Sequence, residues 1–252
     1  MTNKETSWGP IADWYGEHLE GDDTYHAKVI LPNLLRVLNP GEGMRVLDLA
    51  CGEGFVTEKV ASTGAKVTGA DISKELIEKA KARGGRVSYH ATPGDKLSFA
   101  QDSSFDAVTC ILALQNMESL EPVFREVARV LVPGGRFIFV LNHPVLRIPK
   151  RSSWGFDEEK DIQFRRLDGY YLPSREKMIA HPGNPESEHT WSFQRSLEEH
   201  FKALFKTGFT VTGFEEWISH KTSEKGPRQK AEDRSRKEFP LFLMIEATAG
   251  AQ

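Results

Sequence analysis

The chain has 252 residues, 39% of them apolar and 27% charged. That is ordinary globular composition, long enough for one full α/β domain or two small ones; it excludes a disordered chain and a fibrous one. A formal net charge of −3 excludes an overall basic face for nucleic acid, though not a local patch. Cys51 and Cys110 both sit inside apolar runs, so reduced, packed thiols are expected and a disulfide framework is not. Neither a paired-cysteine nor a cysteine–histidine spacing suited to zinc is present, and no structural metal is expected. The N-terminal segment lacks an apolar targeting core, and no apolar stretch approaches the roughly 20 residues of a membrane span, so a cytoplasmic protein without a membrane segment is expected.

Residues 1–40 read as an aromatic-rich polar segment followed by a helix, an N-terminal helical cover. Val29, Ile30, Leu34, Leu35 and Leu38 have helical spacing, Pro32 falls near that helix's start or kinks it, and Asn39-Pro40-Gly41 stops it. The period then changes. Met44–Ala50 is a short apolar run, read as a buried strand; Phe55–Ser62 reads as a helix, and Ala65–Ala70 as a second strand. Ser73 is the predicted N-cap of a helix running to Arg83 and closed by Gly84-Gly85. Arg86–Ala91 and Phe105–Leu112 are the third and fourth strands, Leu120–Leu131 a helix, and Arg136–Leu141 a fifth strand entered through Pro133-Gly134-Gly135. Strands alternating with helices imply right-handed crossovers and a parallel sheet covered on both faces, which the nearly continuous apolar strands also require.

After the fifth strand the rhythm breaks. Residues 144–190 hold five prolines and no clear periodicity, yet they carry Trp154, Phe156, Phe164, Tyr170 and Tyr171, which a disordered linker would lack. We read 144–195 as an insertion that packs like a lid over the mouth of a site. A helix at Leu197–Thr207 and strands at Phe209–Trp217 and Phe239–Ala247 complete one domain spanning 1–252. The stretch Ser219–Glu238, with seven Lys/Arg against four Asp/Glu, reads as an exposed, mobile loop at a hairpin tip.

The chemistry concentrates where the first strand runs through Gly52-Glu53-Gly54 into a helix. Glycines at such a turn let the backbone bend and a ligand approach, and the helix N-terminus offers free N–H groups. Seventeen residues after Gly54 the second strand ends in Asp71, placed to meet the two hydroxyls of a ribose across the crevice. A dinucleotide site would have a third glycine where this chain has Thr57, and would not carry Asp48 beside a pyrophosphate. A ligand with an ammonium group and a positive sulfonium would be served by that carboxylate. The ligand so described is S-adenosylmethionine.

Val46-Leu-Asp-Leu-Ala-Cys-Gly-Glu-Gly54 resembles the first motif of the class I S-adenosylmethionine-dependent methyltransferases, and Gly69-Ala-Asp71-Ile72-Ser73 the second. Ser104–Val108 and Glu126–Arg136 resemble the segments at strands four and five. The resemblance covers residues 25–142 closely and the last two strands by topology. It implies an α/β fold, a Rossmann-like three-layer sandwich on a seven-stranded, mostly parallel sheet whose last strand is antiparallel. The chain is also similar to a bacterial subgroup with an aromatic, proline-bearing insertion after strand five, here Asn142–Pro149. By resemblance, Asp48, Ala50 and Gly52 line the methionine end of the cofactor, Gly54 belongs to the same cofactor-binding group, Asp71 holds the ribose, and Ile72 packs on adenine. Ala91 and Thr92 would flank the adenine edge, Ile111 and Leu112 would lie beneath the sulfonium, and Gln115 would join the cofactor group. Two positions depart from the pattern: Pro93 stands where many relatives have an aspartate, with Asp95 two residues off, and Gln115-Asn116 where relatives often carry two histidines.

The implied function is methyl transfer to an O or N of a small-molecule acceptor by in-line displacement, in a monomer or homodimer. The alternatives are a tRNA or rRNA methyltransferase, a non-catalytic S-adenosylmethionine-binding regulatory protein and, more distantly, a nicotinamide-dependent reductase. His143, just past strand five at the carboxyl edge of the sheet, is the candidate proton acceptor. Its alternative is a turn into the insertion. Arg165, Arg166, Tyr170 and Tyr171 read either as a clamp for an anionic or aromatic acceptor or as a solvated face. Trp14, Tyr15, Tyr25 and His26 read as the opposite lip of the lid.

Overall fold

The structure is a computed structural model and describes residues 21–179 and 189–250; Trp14 and Tyr15 lie outside the described residues. Helix α1, Leu31–Leu38, is entered through a π-helical turn, His26–Ile30, with Pro32 in its first turn. A proline lacks the N–H of the regular ladder and its ring crowds the preceding turn, which the wider π turn accommodates. Asn39 ends α1 in the left-handed conformation, at φ 45°.

The central unit alternates β1 (Arg45–Leu49), α2 (Phe55–Ala61), β2 (Lys66–Asp71), α3 (Lys74–Ala82), β3 (Ser88–Ala91) and β4 (Phe105–Ile111). It continues through a 3-10 turn at Leu114–Asn116 into α4 (Leu120–Val130) and β5 (Leu131–Asn142). Ser73 caps α3 as its sequence predicts, its hydroxyl accepting from Leu76 N. After the insertion come α5 (Leu197–Lys206), β10 (Phe209–Trp217), α6 (Gln229–Glu238) and β11 (Phe242–Ala249). The seven strands lie in the order β10-β11-β5-β4-β1-β2-β3, parallel except for β11, which runs antiparallel to both neighbours. The Rossmann-like fold and the antiparallel last strand are as the sequence implies.

Both faces of the sheet are buried, which explains the continuous apolar strands. Val46, Ile138 and Val140 pack on one face with α1 and α2, while Leu47, Phe137 and Phe139 pack on the other with α4 and α5. Burying fully one such side chain contributes about 2 kcal/mol, so the alternation fixes the register of each strand.

Two expectations are corrected. The insertion is not free of regular structure: it forms two antiparallel hairpins, β6 (Ser152–Asp157) with β7 (Ile162–Leu167) and β8 (Ser174–Ile179) with β9 (His189–Gln194). Nor is Ser219–Glu238 a loop throughout. Its second half is α6, whose small residues Ala231 and Ser235 are buried, with Ser235 Oγ donating to Gln163 O of β7 at 3.1 Å. An i,i+4 pair, Arg234 with Glu238, supports the exposed face. The insertion is tied to the sheet by Arg195, which donates to the carbonyls of Met117 and Glu118 at 2.6 Å each, and by Gln194, which donates to Pro144 O at 2.9 Å.

Candidate functional site

Strands β1, β2 and β4 deliver their carboxyl ends to one crevice, where the sheet order reverses between β1 and β4. Ligands of open α/β sheets bind at such a point. Between β1 and α2 the chain turns through Ala50, Gly52 and Gly54 at φ 57°, 56° and 85°. Gly54 is fixed by space as well as by φ: a Cβ there would lie 2.5 Å from Tyr89 Oη. Gly69 of β2 is likewise pressed by the Tyr89 ring, 2.6 Å from its ideal Cβ. The turn, β2 and β3 are thus packed through one aromatic side chain.

Asp48 and Asp71 close the crevice from adjacent strands. Asp48 is 2% exposed and accepts from Thr57 Oγ1 at 2.6 Å and Thr109 Oγ1 at 3.0 Å. Burial pushes its carboxyl up to about 6, the two hydroxyls oppose that shift, and the neighbouring charge of Asp71 adds to it. Asp71 accepts from Gly52 N at 3.0 Å and Ser73 N at 2.8 Å; burial raises its pKa too, against these backbone bonds. The carboxylate of β2 therefore pins the glycine turn of β1. Burial also pushes the Cys51 thiol well up, which suits a packed side chain and not a nucleophile.

His26, Asp48, Ala50, Cys51, Gly52, Phe55, Val56 and Ile111 line a narrow cleft of about 40 Å³. Asp48, Ala50, Gly52 and Ile111 are thus brought to one wall. Ile72 stands at the crevice end of β2, 44% exposed, and Ala91 pairs with Asp71 in register on β3. Thr92 is held by its own turn, N donating to Asp71 O at 2.7 Å and Oγ1 to Lys96 O at 2.7 Å. Leu112, at φ 53°, donates its N–H to Val140 O, and Gln115 Nε2 donates back to Leu112 O at 2.5 Å. Gln115 Oε1 is buried with no hydrogen-bond partner among the described residues.

His143 is elsewhere engaged. Its Nδ1 accepts from Val145 N at 3.3 Å and Leu146 N at 3.2 Å, while Nε2 meets Glu216 Oε1 at 2.8 Å. Both ring nitrogens are thus engaged, Nδ1 on the turn into the insertion and Nε2 on Glu216 of β10. Of the predicted clamp, Arg166 pairs with Asp168, Tyr171 with Glu198, and Tyr170 Oη accepts from Leu197 N. His26 is the imidazole that does line the cleft. Burial pushes its pKa down to about 4, and neither ring nitrogen has a hydrogen-bond partner among the described residues. Thr57 and Thr109 are the functional neighbours that sequence motifs pass over; Thr57 is marked there only as a missing glycine.

Residues 47–139 match the family model described as a methyltransferase domain. The chain is 39% identical over 105 residues to the ubiquinone biosynthesis O-methyltransferase of Xanthomonas oryzae, covering 40% of this chain and 44% of that protein. It is 39% identical over 113 residues to the demethylmenaquinone methyltransferase of Tropheryma whipplei, covering 43% and 46%. The match thus spans less than half the length of these curated relatives. Among solved structures, an S-adenosylmethionine-dependent methyltransferase of Mesorhizobium loti aligns with a TM-score of 0.66 and 27% identity, over 86% of this chain and 96% of that one. A Listeria monocytogenes protein described as a putative methyltransferase of the same kind aligns with a TM-score of 0.67 and 26% identity, over 87% and 96%. Residues 47–139 thus match a methyltransferase domain, and the chain around them is similar in its Rossmann-like fold to solved S-adenosylmethionine-dependent methyltransferases.

Proposed function

We propose that the protein binds S-adenosylmethionine in this crevice and transfers its methyl group to an O or N atom of a small-molecule acceptor. The observation that carries the reading is the pair of strand-end carboxylates on either side of the glycine turn: Asp71 held by Gly52 N, and Asp48 lining the cleft.

The residues present suit that cofactor. Asp48 makes no ion pair among the described residues and is a natural partner for an ammonium group. Asp71 keeps lone pairs for two ribose hydroxyls after accepting its backbone bonds, and bare Ile72 offers an apolar face to a flat ring. When bound, S-adenosylmethionine supplies an electrophilic methyl group on a sulfur that is its own leaving group. The chain then has to align the acceptor with that methyl and keep water out, catalysis by proximity and orientation. Phe55, Val56 and Ile111 give the cleft its apolar wall. His26, neutral above about pH 4, accepts a hydrogen bond from the acceptor's O–H or N–H and holds its lone pair toward the methyl. His143 is assigned to holding the turn, not to proton transfer. We assign the insertion that forms hairpins β6–β9 to the acceptor side.

The test is calorimetric binding of S-adenosylhomocysteine, followed by methyl transfer to a panel of hydroxy and amino acceptors. Binding weakened at least tenfold by Asp71→Ala, with a methylated small molecule formed, supports the reading. Binding indifferent to Asp71→Ala overturns the ribose assignment, and methyl incorporation into bulk RNA alone overturns the small-molecule acceptor.

A further inference from the structure

The arginines of this chain are mostly paired with carboxylates: Arg45 with Asp106, Arg83 with Glu53, Arg129 with Glu126 and Asp102. Arg147 and Arg165 are among those that are not, and they are neighbours. Arg147 ends the turn that His143 caps, its N–H donating to His143 O at 2.8 Å. Its guanidinium is largely withdrawn from solvent, yet Nη1 alone is engaged, donating to Asn142 Oδ1 at 2.7 Å. The rest of the group lies 5.5 Å over the Phe242 ring and within electrostatic reach of Tyr25 and Arg165. Arg165 donates from Nε to Leu146 O at 2.8 Å and from Nη2 to Ser152 Oγ at 2.6 Å, leaving Nη1 unengaged. Neither makes an ion pair with a carboxylate among the described residues. Two partly buried guanidiniums brought to one turn, Arg165 through its bond to the carbonyl of Leu146 beside Arg147, without a counter-ion are costly, and the cost is relieved by an anion that both can reach.

Their place in the fold says which anion. Asn142 ends β5 and pairs with Phe242, and Val140, two residues earlier, pairs with Ile111 on the wall of the cleft. Arg147 thus sits at the same carboxyl edge, its guanidinium between Asn142 of β5 and Phe242 of β11, one to two strand spacings, roughly 5–10 Å, beyond Ile111 of the cleft. Tyr25, which approaches it, directly precedes the cleft residue His26. A group held at Arg147 is a short molecule's length from the methyl-transfer position and on the side away from Asp71.

We propose that Arg147, supported by Arg165, binds a carboxylate of the methyl acceptor, so that the acceptor is a small organic acid. This rests on the methyl-transfer reading above. The planar guanidinium fork matches a carboxylate in two parallel bonds, and Trp154 of the insertion, 41% exposed beneath the Arg165 guanidinium, leaves apolar surface for the acid's carbon frame. His143 gains a role through this: with Nδ1 accepting from Val145 and Leu146 and Nε2 on Glu216, it is a positioning residue for Arg147.

The experiment uses the full chain saturated with S-adenosylhomocysteine. Benzoate, 3-phenylpropanoate and hexanoate are titrated against the corresponding primary alcohols, with phenyl phosphate as a further probe. At least one carboxylate is expected to bind tenfold or more tightly than its alcohol, with the preference lost in Arg147→Met and partly kept in Arg147→Lys. Unchanged affinity for S-adenosylhomocysteine in both variants shows that they fold. No carboxylate preference in the wild type, a preference that survives Arg147→Met, or tighter binding of phenyl phosphate than of every carboxylate overturns the proposal. If the wild type does not bind S-adenosylhomocysteine at all, it is the methyl-transfer reading that falls.

Discussion

Thr57 donates a hydrogen bond from its hydroxyl to Asp48 across 2.6 Å, in the first turn of the helix that follows the glycine loop. A dinucleotide-binding turn has a glycine at this position so that helix and strand can close on a pyrophosphate. Here the side chain does the opposite work and stabilises a buried negative charge that would repel one. With Thr109 on the other oxygen, the Asp48 carboxylate is satisfied without a cation. Thr57→Val keeps the shape and removes the proton. A hydrogen bond to a charged group is worth about 2 kcal/mol, so the variant should lose that order of stability at neutral pH and bind S-adenosylhomocysteine several-fold more weakly. Denaturant unfolding and calorimetry check both; NAD(H) binding by either form would contradict the assignment.

Asp48 should impose a pH dependence of its own. Its folded pKa, about 6, lies above the unfolded value near 3.8. The stability it contributes is therefore complete below about pH 4 and lost as pH rises through 6, by roughly 3 kcal/mol for such a shift. Asp48→Asn should leave the ligand-free protein more stable at pH 7.5 and remove this part of the slope. Affinity for the cofactor should run the other way, falling below pH 6 in the wild type as the carboxylate protonates, and staying flat and weak in Asp48→Asn. Thermal unfolding from about pH 4 to 8, with and without S-adenosylhomocysteine, separates the two trends.

The nucleotide side of this site is legible in the sequence because it is built from residues close along the chain. A strand of five residues, a two-glycine turn and a strand ending in Asp71 mark a nucleotide crevice, Thr57 and Asp48 separate it from a dinucleotide site, and the structure joins the two strands through Gly52 N and the Asp71 carboxylate. The insertion is not legible for a physical reason. Trp154 and Phe164 are 41% and 44% exposed, so the β6–β7 hairpin has no fully buried face and writes no alternating pattern. Helix α6 escapes notice similarly, since its buried positions are Ala231 and Ser235 among charges. His26 and Arg147 come from elements far apart in sequence, and only the sheet order brings them to one edge.

The clamp on the insertion should be separable from cofactor binding. Arg195 ties β9 to the loop after β4 through two carbonyls, and that loop carries Gln115. Arg195→Met removes both bonds and leaves the β1–β2 crevice untouched. The acceptor KM should rise five-fold or more, while the Kd of S-adenosylhomocysteine changes less than two-fold. Steady-state kinetics beside calorimetry would show it; equal effects on both constants would mean that the insertion braces the whole sheet instead.

Packing at Tyr89 makes a sharper prediction about the glycine turn. A Cβ on Gly69 would sit 2.6 Å from the Tyr89 ring and 3.0 Å from Cys51 Sγ. Tyr89 cannot move freely, because its hydroxyl donates to Glu58 Oε1 at 2.8 Å. Gly69→Ala should therefore cost about 2 kcal/mol through overpacking and weaken cofactor binding by displacing Asp71, two residues on. Adding Tyr89→Leu should return part of the binding, a coupling that a double-mutant cycle measures.

Proton handling separates His26 from both Asp48 and His143. The His26 imidazole lines the cleft and stays neutral above about pH 4, so its protonation cannot produce an acid limb of activity between pH 5 and 8. A limb near 6 should be carried by Asp48, persist in His26→Phe and disappear in Asp48→Asn. For acceptors that must lose a proton, His26→Phe should lower kcat roughly a hundredfold, the usual scale for a lost general base or its hydrogen bond. For acceptors already ionised, such as a thiolate, the loss should be small. His143→Asn should behave differently, raising acceptor KM through the Arg147 turn with little change in kcat. A His26→Phe enzyme that loses S-adenosylhomocysteine binding as steeply as kcat would place this histidine on the cofactor instead of the acceptor.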